Sequence, residues 1–432
     1  MFRSEIYRNA AKMLSGNAIA QMVGLLFYPL LTRLYRPEDF GLLNLFLSIG
    51  GVLVLVANAD YHYAVLLPKN EKKAIGVWQV SALCSLSVVI LCGISVFFRE
   101  AIAGLFETPE LAAVYPLLPL FVALSAAWTL LNYWFTRQKR FGAISRYQVS
   151  QTLSNALLKW GFGAAGRLQW GLFVSTVLGL TVSLGLSVAG TFRAWGSKLL
   201  HFDRISMRLA ARRYARFPLF SLPRSLVNSL SANLPFFILT PFFGVAEMGF
   251  IGMGFTLAFR PINMISGSLY QVFFQRFAEN VQNRRRVMPF FRKFVLGCFL
   301  VVIPSFALLY WILPALCAWL LGDEWLETGR YIRLMLPWIA MVCAGNSVSS
   351  LSDLFQKQAL MLWVEVVYLM LRAAGLAIGI ALKDIRLSMS LYSLGGVLIV
   401  SFQLLCYRKW IKDYEAGLED EEAATRGDKV KI

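Results

Sequence analysis

Long apolar stretches, each sufficient to cross a bilayer as a helix, recur along this chain, and its basic residues gather on one side of them. Of 42 Lys and Arg, 30 lie in the N-terminus, alternate loops and the C-terminal tail, 8 in the other loops and 4 inside apolar stretches. A hydrocarbon layer of ~30 Å needs about 20 helical residues, and a Lys/Arg excess on one side sets the orientation of such helices. The formal charge of +18 is therefore a matter of topology and not of nucleic-acid binding. Composition agrees, since only 15% of residues are charged, against about 25% in a soluble domain.

Twelve spans are predicted, over residues 13–34, 40–61, 76–98, 113–135, 147–166, 169–191, 218–243, 247–274, 294–321, 332–356, 359–382 and 387–407. The cytoplasmic side takes Lys69, Lys72 and Lys73, then Arg137, Lys139, Arg140 and Arg146, then the basic stretch 193–216. Arg276, Arg284, Arg285, Arg286, Arg292 and Lys293 follow, with Arg408, Lys409 and Lys412 at the end. Loops on the other side are short or acidic, as at Glu38-Asp39 and Asp323-Glu324. Both termini are thus expected in the cytoplasm. The first apolar run continues past Pro29 without a small-residue cleavage site, so it reads as a span rather than a signal peptide. The mixed-charge tail after Trp410 reads as disordered.

The longest basic loop divides the chain into a six-helix bundle over 1–191, a linker over 192–217, a second six-helix bundle over 218–407 and a tail over 408–432. Two bundles of even span number share one orientation, so the expected fold is all-α and polytopic, with about twelve membrane helices and a pseudo-two-fold axis along the membrane normal. Two short matches support a repeat. Leu31-Thr32 with Asp39 and Gly41 corresponds to Leu239-Thr240 with Glu247 and Gly249, at a constant offset of 208. Phe135, Arg137 and Gln138 correspond to Phe355, Lys357 and Gln358, at an offset of 220.

Catalytic chemistry is poorly supplied. The six Cys form no CxxC, the only His are His62 and His201, and no phosphate-binding loop is present. No metal, cofactor or enzymatic activity is expected. The interior charges carry the information instead. Lys159, Arg224, Arg260 and Arg372 fall inside spans, accompanied by Asp60, Asp353 and Glu365. Each cation costs about 2.5–3.5 kcal/mol at a helix centre, so four facing lipid would cost on the order of 10 kcal/mol. They are expected to face a cavity or an interface, and a net positive cavity suits an anionic substrate. Arg224 has the alternative of snorkelling to the headgroups. Glu365 and Arg372 lie seven residues apart on one helix face, about 10 Å from each other. Asn17, Gln21, Asn155, Asn228 and Asn263 are candidates for contacting hydroxyl groups, or equally for interhelical packing. Pro218, Pro223, Pro235 and Pro241 make the seventh span the expected moving element, with static kinking as the alternative.

Three stretches carry a family resemblance. Leu31-Thr32-Arg33-Leu34-Tyr35-Arg36-Pro37-Glu38-Asp39-Phe40-Gly41 resembles the first external loop of the bacterial polysaccharide flippases, the Wzx-like O-antigen translocases. Asp60-Tyr61-His62-Tyr63-Ala64-Val65-Leu66-Leu67-Pro68-Lys69 resembles their second cytoplasmic boundary. Leu321-Gly322-Asp323-Glu324-Trp325, followed by Gly329-Arg330-Tyr331-Ile332-Arg333 and Pro337-Trp338, resembles their ninth-to-tenth span junction. The glycine-rich, Arg-paired loop of the major facilitator class is absent from Leu67 to Lys73. The two extra C-terminal spans of the peptidoglycan lipid flippases are also missing.

The resemblance places the chain in the multidrug/oligosaccharidyl-lipid/polysaccharide exporter superfamily. It implies alternating-access transfer of a polyprenyl-diphosphate oligosaccharide to the outer leaflet of the bacterial inner membrane. Arg260, Arg372, Arg224 and Lys159 would meet the diphosphate, since guanidinium and ammonium groups pair directly with phosphate oxygens. A coupling ion, H+ or Na+, would engage Glu365 or Asp353, with Asp60 a further candidate. Membrane lipids and a polysaccharide polymerase or other assembly proteins are the expected partners, and no nucleic acid. The alternative is a cation-coupled drug or small-solute exporter, which would want an excess of carboxylates inside the spans.

Overall fold

A computed structural model describes residues 19–429 except 167, 190–195, 197, 198 and 200. Asn17 and the start of the first predicted span lie outside the described residues. The principal helices are α1 (Ile19–Leu31), α2 (Pro37–Asn58), α3 (Glu71–Ser95), α4 (Leu118–Arg137), α5 (Phe141–Ala164) and α6 (Leu168–Val188). They continue with α7 (Leu222–Ile238), α8 (Thr240–Gln282), α9 (Met288–Leu321), α10 (Leu326–Val348), α11 (Gln358–Ala381) and α12 (Ile385–Lys429). Among the described residues nine helical stretches are long and apolar enough to cross a membrane, and the chain is a multi-pass membrane protein. The other three principal helices fall short for visible reasons. α1 is described only from Ile19, α7 has 17 residues, and α5 carries Arg146, Gln148, Gln151, Asn155 and Lys159.

Helix ends follow capping chemistry. Asn70 caps α3 by accepting from the Lys72 amide at 2.8 Å, and the Asp384 carboxylate caps α12 through the Arg386 amide at 2.8 Å. Pro37 opens α2 with Glu38 and Asp39 in its first turn, where carboxylates complement the helix dipole. Gly244, at φ 81°, interrupts α8 near its start, a backbone region open to glycine. The last helix runs on to Lys429. Its first part after Trp410 is packed: Ile411 is buried, Tyr414 donates to the Val281 carbonyl at 3.2 Å, and Glu415 accepts from the Val287 and Met288 amides at 2.7 and 2.8 Å.

The chain divides into two compact units. One comprises the residues up to Gly252 together with Trp319–Trp325, and the other Met253–Ala318 with the residues from Leu326 onward. The division falls beyond residue 217 because α7 packs on the N-terminal helices. Ser48 on α2 donates to Asn233 on α7 at 2.9 Å, and Phe106 faces Phe237 with centroids 6.4 Å apart.

The first unit places repeat-related residues in contact. A Cβ on Gly41 would meet the Val245 carbonyl oxygen at 1.7 Å, and one on Gly249 would meet the Pro37 oxygen at 1.9 Å. The offset of 208 converts Pro37 into Val245 and Gly41 into Gly249, so the two contacts exchange, as across a local two-fold axis. Trp325 is fully buried beside this contact, edge-on to Phe40 at 5.3 Å and to Phe250 at 5.9 Å. Its indole N–H donates to the Thr32 carbonyl at 3.1 Å. Tyr35 donates to the Lys159 carbonyl at 2.7 Å, and burial followed by the nearby Asp39 charge pushes its phenol up to about 12. The residues that carry the family resemblance are therefore packing residues in this region.

Candidate functional site

In the second unit the chemistry centres on Arg372. The residue lies well inside α11, and only 4% of its surface is exposed. Its guanidinium carbon sits 3.7 Å from the Tyr368 ring centroid, 4.4 Å from that of Tyr392 and 4.7 Å from that of Trp338. Nη2 also donates to the Tyr368 hydroxyl. Three helices supply the box: α10 brings Trp338, α11 brings Tyr368 one turn before the arginine, and α12 brings Tyr392. Gly396 makes the approach possible, because a Cβ there would stand 2.3 Å from the Trp338 ring. A cation stripped of water is stabilised over an aromatic face by about 2 kcal/mol, which makes rings suitable walls for a charge that lipid would reject.

The other polar candidates of this unit are Glu365, Asp353, Arg260 and Asn263. Glu365, two turns before Arg372, is half-buried and within electrostatic range of Tyr368 and Tyr407. Asp353 is exposed, accepts from Gln358 Nε2 at 3.5 Å and also lies within range of Tyr407. Arg260 is half-buried on α8 beside Pro261, and Asn263 is exposed one turn on. Phe259, adjacent to Arg260, packs on Trp338 at 4.8 Å, so Arg260 and the Arg372 box belong to neighbouring parts of one unit.

The remaining candidates lie in the first unit. Arg224 and Asn228 are exposed on α7, Lys159 and Asn155 are half-buried on α5, and Gln21 is half-buried on α1. The four interior cations are thus distributed two and two, and Arg372 alone among them is buried.

The first unit has its own polar centre at the end of α2. Ala59 and Asp60 both take the left-handed backbone, with φ of 46° and 55°. Asp60 is fully buried, and its Oδ2 accepts from Ser221 Oγ at 2.7 Å and from Ser225 Oγ at 2.9 Å. His62 is buried against Tyr63 and Tyr133, with ring centroids 4.2 and 4.8 Å away. Burial pushes the imidazole down to about 4, against the opposing pull of Asp60, so the ring is neutral at pH 7.

Arg372, Glu365 and Asp60 stand out in the sequence, and the groups around them do not. Tyr368 and Arg372 stand at i and i+4, and Ser221 and Ser225 at the same spacing, so each pair shares a helix face, and this is the one signal in the sequence by which they can be found. Trp338 stands in the sequence only as part of the resemblance motif Pro337-Trp338, and Tyr392, from another helix, has no signal there. An apolar cavity of about 400 Å³ also opens in the first unit, among Trp78, Leu86, Val89, Leu131 and Trp134.

A family described as polysaccharide biosynthesis protein matches residues 30–330. The chain belongs to this family. Relatives of this polysaccharide biosynthesis protein include the teichuronic acid biosynthesis protein TuaB of Bacillus subtilis (strain 168), 22% identical over 263 residues, 60% of this chain and 53% of TuaB. The succinoglycan biosynthesis transport protein ExoT of Rhizobium meliloti (strain 1021) is also 22% identical over 263 residues, 60% of this chain and 51% of ExoT. The matched segment spans about half the length of these relatives. Among solved structures, the lipid II flippase MurJ in an inward closed conformation aligns with a TM-score of 0.74 at 11% identity, over 94% of this chain and 90% of MurJ. An inward-facing multidrug resistance MATE transporter of the MOP superfamily aligns at 0.63 and 14% identity, over 94% of this chain and 99% of that one. At these identities the likeness is one of fold, and the helical exporter fold expected from the sequence is the fold of this protein.

Proposed function

We propose that this polysaccharide biosynthesis protein is a flippase of the bacterial inner membrane. It would carry a polyprenyl-diphosphate oligosaccharide from the cytoplasmic to the outer leaflet by alternating access, for assembly of a surface polysaccharide. The observation that carries this reading is the family match over residues 30–330 on a fold shared with a lipid flippase over 94% of the chain. Interior charge supports it, since Lys159, Arg224, Arg260 and Arg372 outnumber Asp60, Asp353 and Glu365. Arg260, Arg224 and Lys159 retain exposure and would meet the diphosphate. Arg372, enclosed by its rings, would hold a fixed positive potential within the second unit. The membrane potential favours outward transfer of an anion by about 2.3 kcal/mol per charge per 100 mV. Both termini would lie in the cytoplasm, a polymerase or other assembly protein would receive the product, and no chemical bond would be made or broken.

The test is made in a strain lacking the protein. Lipid extracts should contain an accumulated polyprenyl-diphosphate oligosaccharide that an external probe does not reach, and the wild-type gene should clear it while Arg260→Ala should not. No accumulation with normal surface glycans would refute the reading, and a simultaneous rise in drug sensitivity would put the exporter in its place.

A further inference from the structure

The helix Arg204–Arg213, in the basic stretch between α6 and α7, presents three distinct faces, and the transport reading uses none of them. Helical spacing puts Ser206, Met207, Ala210 and Ala211 on one side. Ala210 is buried there, and Met207, Ala211 and the following Tyr214 pack on the core cluster that holds Val77 of α3 and Trp134 of α4. The approach is close, since a Cβ on Gly76 of α3 would stand 2.4 Å from Ser206 Oγ. Tyr61 donates to the Ala211 carbonyl at 3.2 Å, and Asp203 caps the helix by accepting from the Ile205 amide at 3.1 Å. Gln79 Nε2 holds the chain just ahead, donating to the Leu199 and His201 carbonyls at 3.1 and 2.7 Å. The helix is thus fixed against the first turns of α3, where the exposed Lys72 shares the rim of an open pocket with Arg204.

The other two faces point away from this packing. Ile205 and Leu209, one turn apart, are 75% and 65% exposed, and Phe202 just ahead of them is 52% exposed. Arg204, Arg208 and Arg212 run along the edge of that apolar strip at i, i+4 and i+8, and all three are exposed. Like charges at this spacing repel, and an apolar strip is unfavourable in water, so one face calls for anions and the other for hydrocarbon. A leaflet of anionic phospholipid supplies both, with phosphates at headgroup depth and acyl chains just below. A helix divided in this way lies in the plane of the interface. The level is also right, because α3, which holds the helix, belongs to a stretch long and apolar enough to cross the membrane.

We propose that the Arg204–Arg213 helix is a docking surface for anionic phospholipid in the leaflet on the basic side of the membrane. Phe202, Ile205 and Leu209 enter among the acyl chains, and Arg204, Arg208 and Arg212 meet the phosphates. The surface continues to the entrance of α7, where Arg216 is exposed and Leu219 and Phe220 are 65% and 71% exposed. Each arginine near an anionic leaflet favours it by about fivefold, a gain that a zwitterionic leaflet does not offer. The surface belongs to the folded chain in its membrane and is measurable without any substrate, so it stands apart from the flippase reading.

The experiment attaches a bimane fluorophore at Leu209→Cys in the full-length protein, reconstituted in phosphatidylcholine nanodiscs. The same labelling of the protein without that substitution subtracts signal from the six native cysteines. Equal fractions of brominated phosphatidylglycerol or brominated phosphatidylcholine then quench the label at short range. Both lipids are expected to quench, and the phosphatidylglycerol at low salt by at least about twofold more. That preference should vanish in Arg204→Gln/Arg208→Gln/Arg212→Gln and in about 1 M salt, where the screening length falls to about 3 Å. Quenching by neither lipid would overturn the proposal and leave the face to a protein partner. Equal quenching at low salt would overturn the headgroup assignment, and a preference that survives in the triple variant would give it to other cations. Should the triple variant fail to fold, a preference unmoved by salt overturns the proposal equally.

Discussion

Replacing Arg372 by Met separates what its charge does for stability from what it does for function. The guanidinium is 4% exposed and lies within 5 Å of three ring centroids, so the native state bears its desolvation and regains part of it from the rings and the Tyr368 hydroxyl. Buried charges exchanged for apolar side chains of similar volume are commonly neutral or stabilising by about 1–4 kcal/mol, whereas stripping a partner from a buried charge costs about 3–5 kcal/mol. Arg372→Met should therefore leave stability within about 1 kcal/mol or raise it. Tyr368→Leu, which deletes the nearest ring and the hydroxyl acceptor but keeps the cation, should cost about 3–5 kcal/mol. The double variant should recover much of that loss, giving a coupling of about 2 kcal/mol between the two positions. Thermal unfolding of purified protein, compared at one pH and detergent, reads all three. Surface polysaccharide in the deletion strain, normalised to protein in the membrane, reads function, and Arg372→Met should be stable and inactive. If Arg372→Met unfolds as readily as Tyr368→Leu, the cation is a net stabiliser and the reasoning fails. If it remains fully active, the charge has no role in transport.

Three further outcomes follow from other parts of the molecule. Gly41→Ala and Gly249→Ala each put a Cβ within 2 Å of a backbone carbonyl, so each should cost about 1–3 kcal/mol of overpacking; two variants that melt like the wild type would show that the contact yields. Trp325→Phe keeps the ring but orphans the Thr32 carbonyl, and a loss of about 1–3 kcal/mol is expected in thermal unfolding, with no loss counting against the bond. His62 is held near 4 when folded and near 6.5 when unfolded, so the unfolded chain binds more protons in that interval and stability should fall as pH drops from about 6.5 toward 4. The full contribution is about 3 kcal/mol, and urea unfolding of His62→Gln should show a correspondingly flatter acid limb.

Hydropathy determined where most of the helices lie. Apolar length sets where helices form, because it depends on local composition and on the bilayer rather than on distant residues. The repeat was legible too: Gly41 and Gly249, matched by an offset of 208, meet reciprocal carbonyls in the folded chain. The fate of each interior charge was not legible. Arg224, Arg260 and Arg372 look alike as cations in apolar segments, yet one is exposed, one half-buried and one enclosed by Trp338, Tyr368 and Tyr392. Asp60 likewise reads as a helix-end carboxylate until α7 delivers Ser221 and Ser225 to it across about 160 residues of sequence. Burial and partners are properties of surfaces from several helices brought together, and a pattern with helical period records which face is apolar but not which neighbour will cover it.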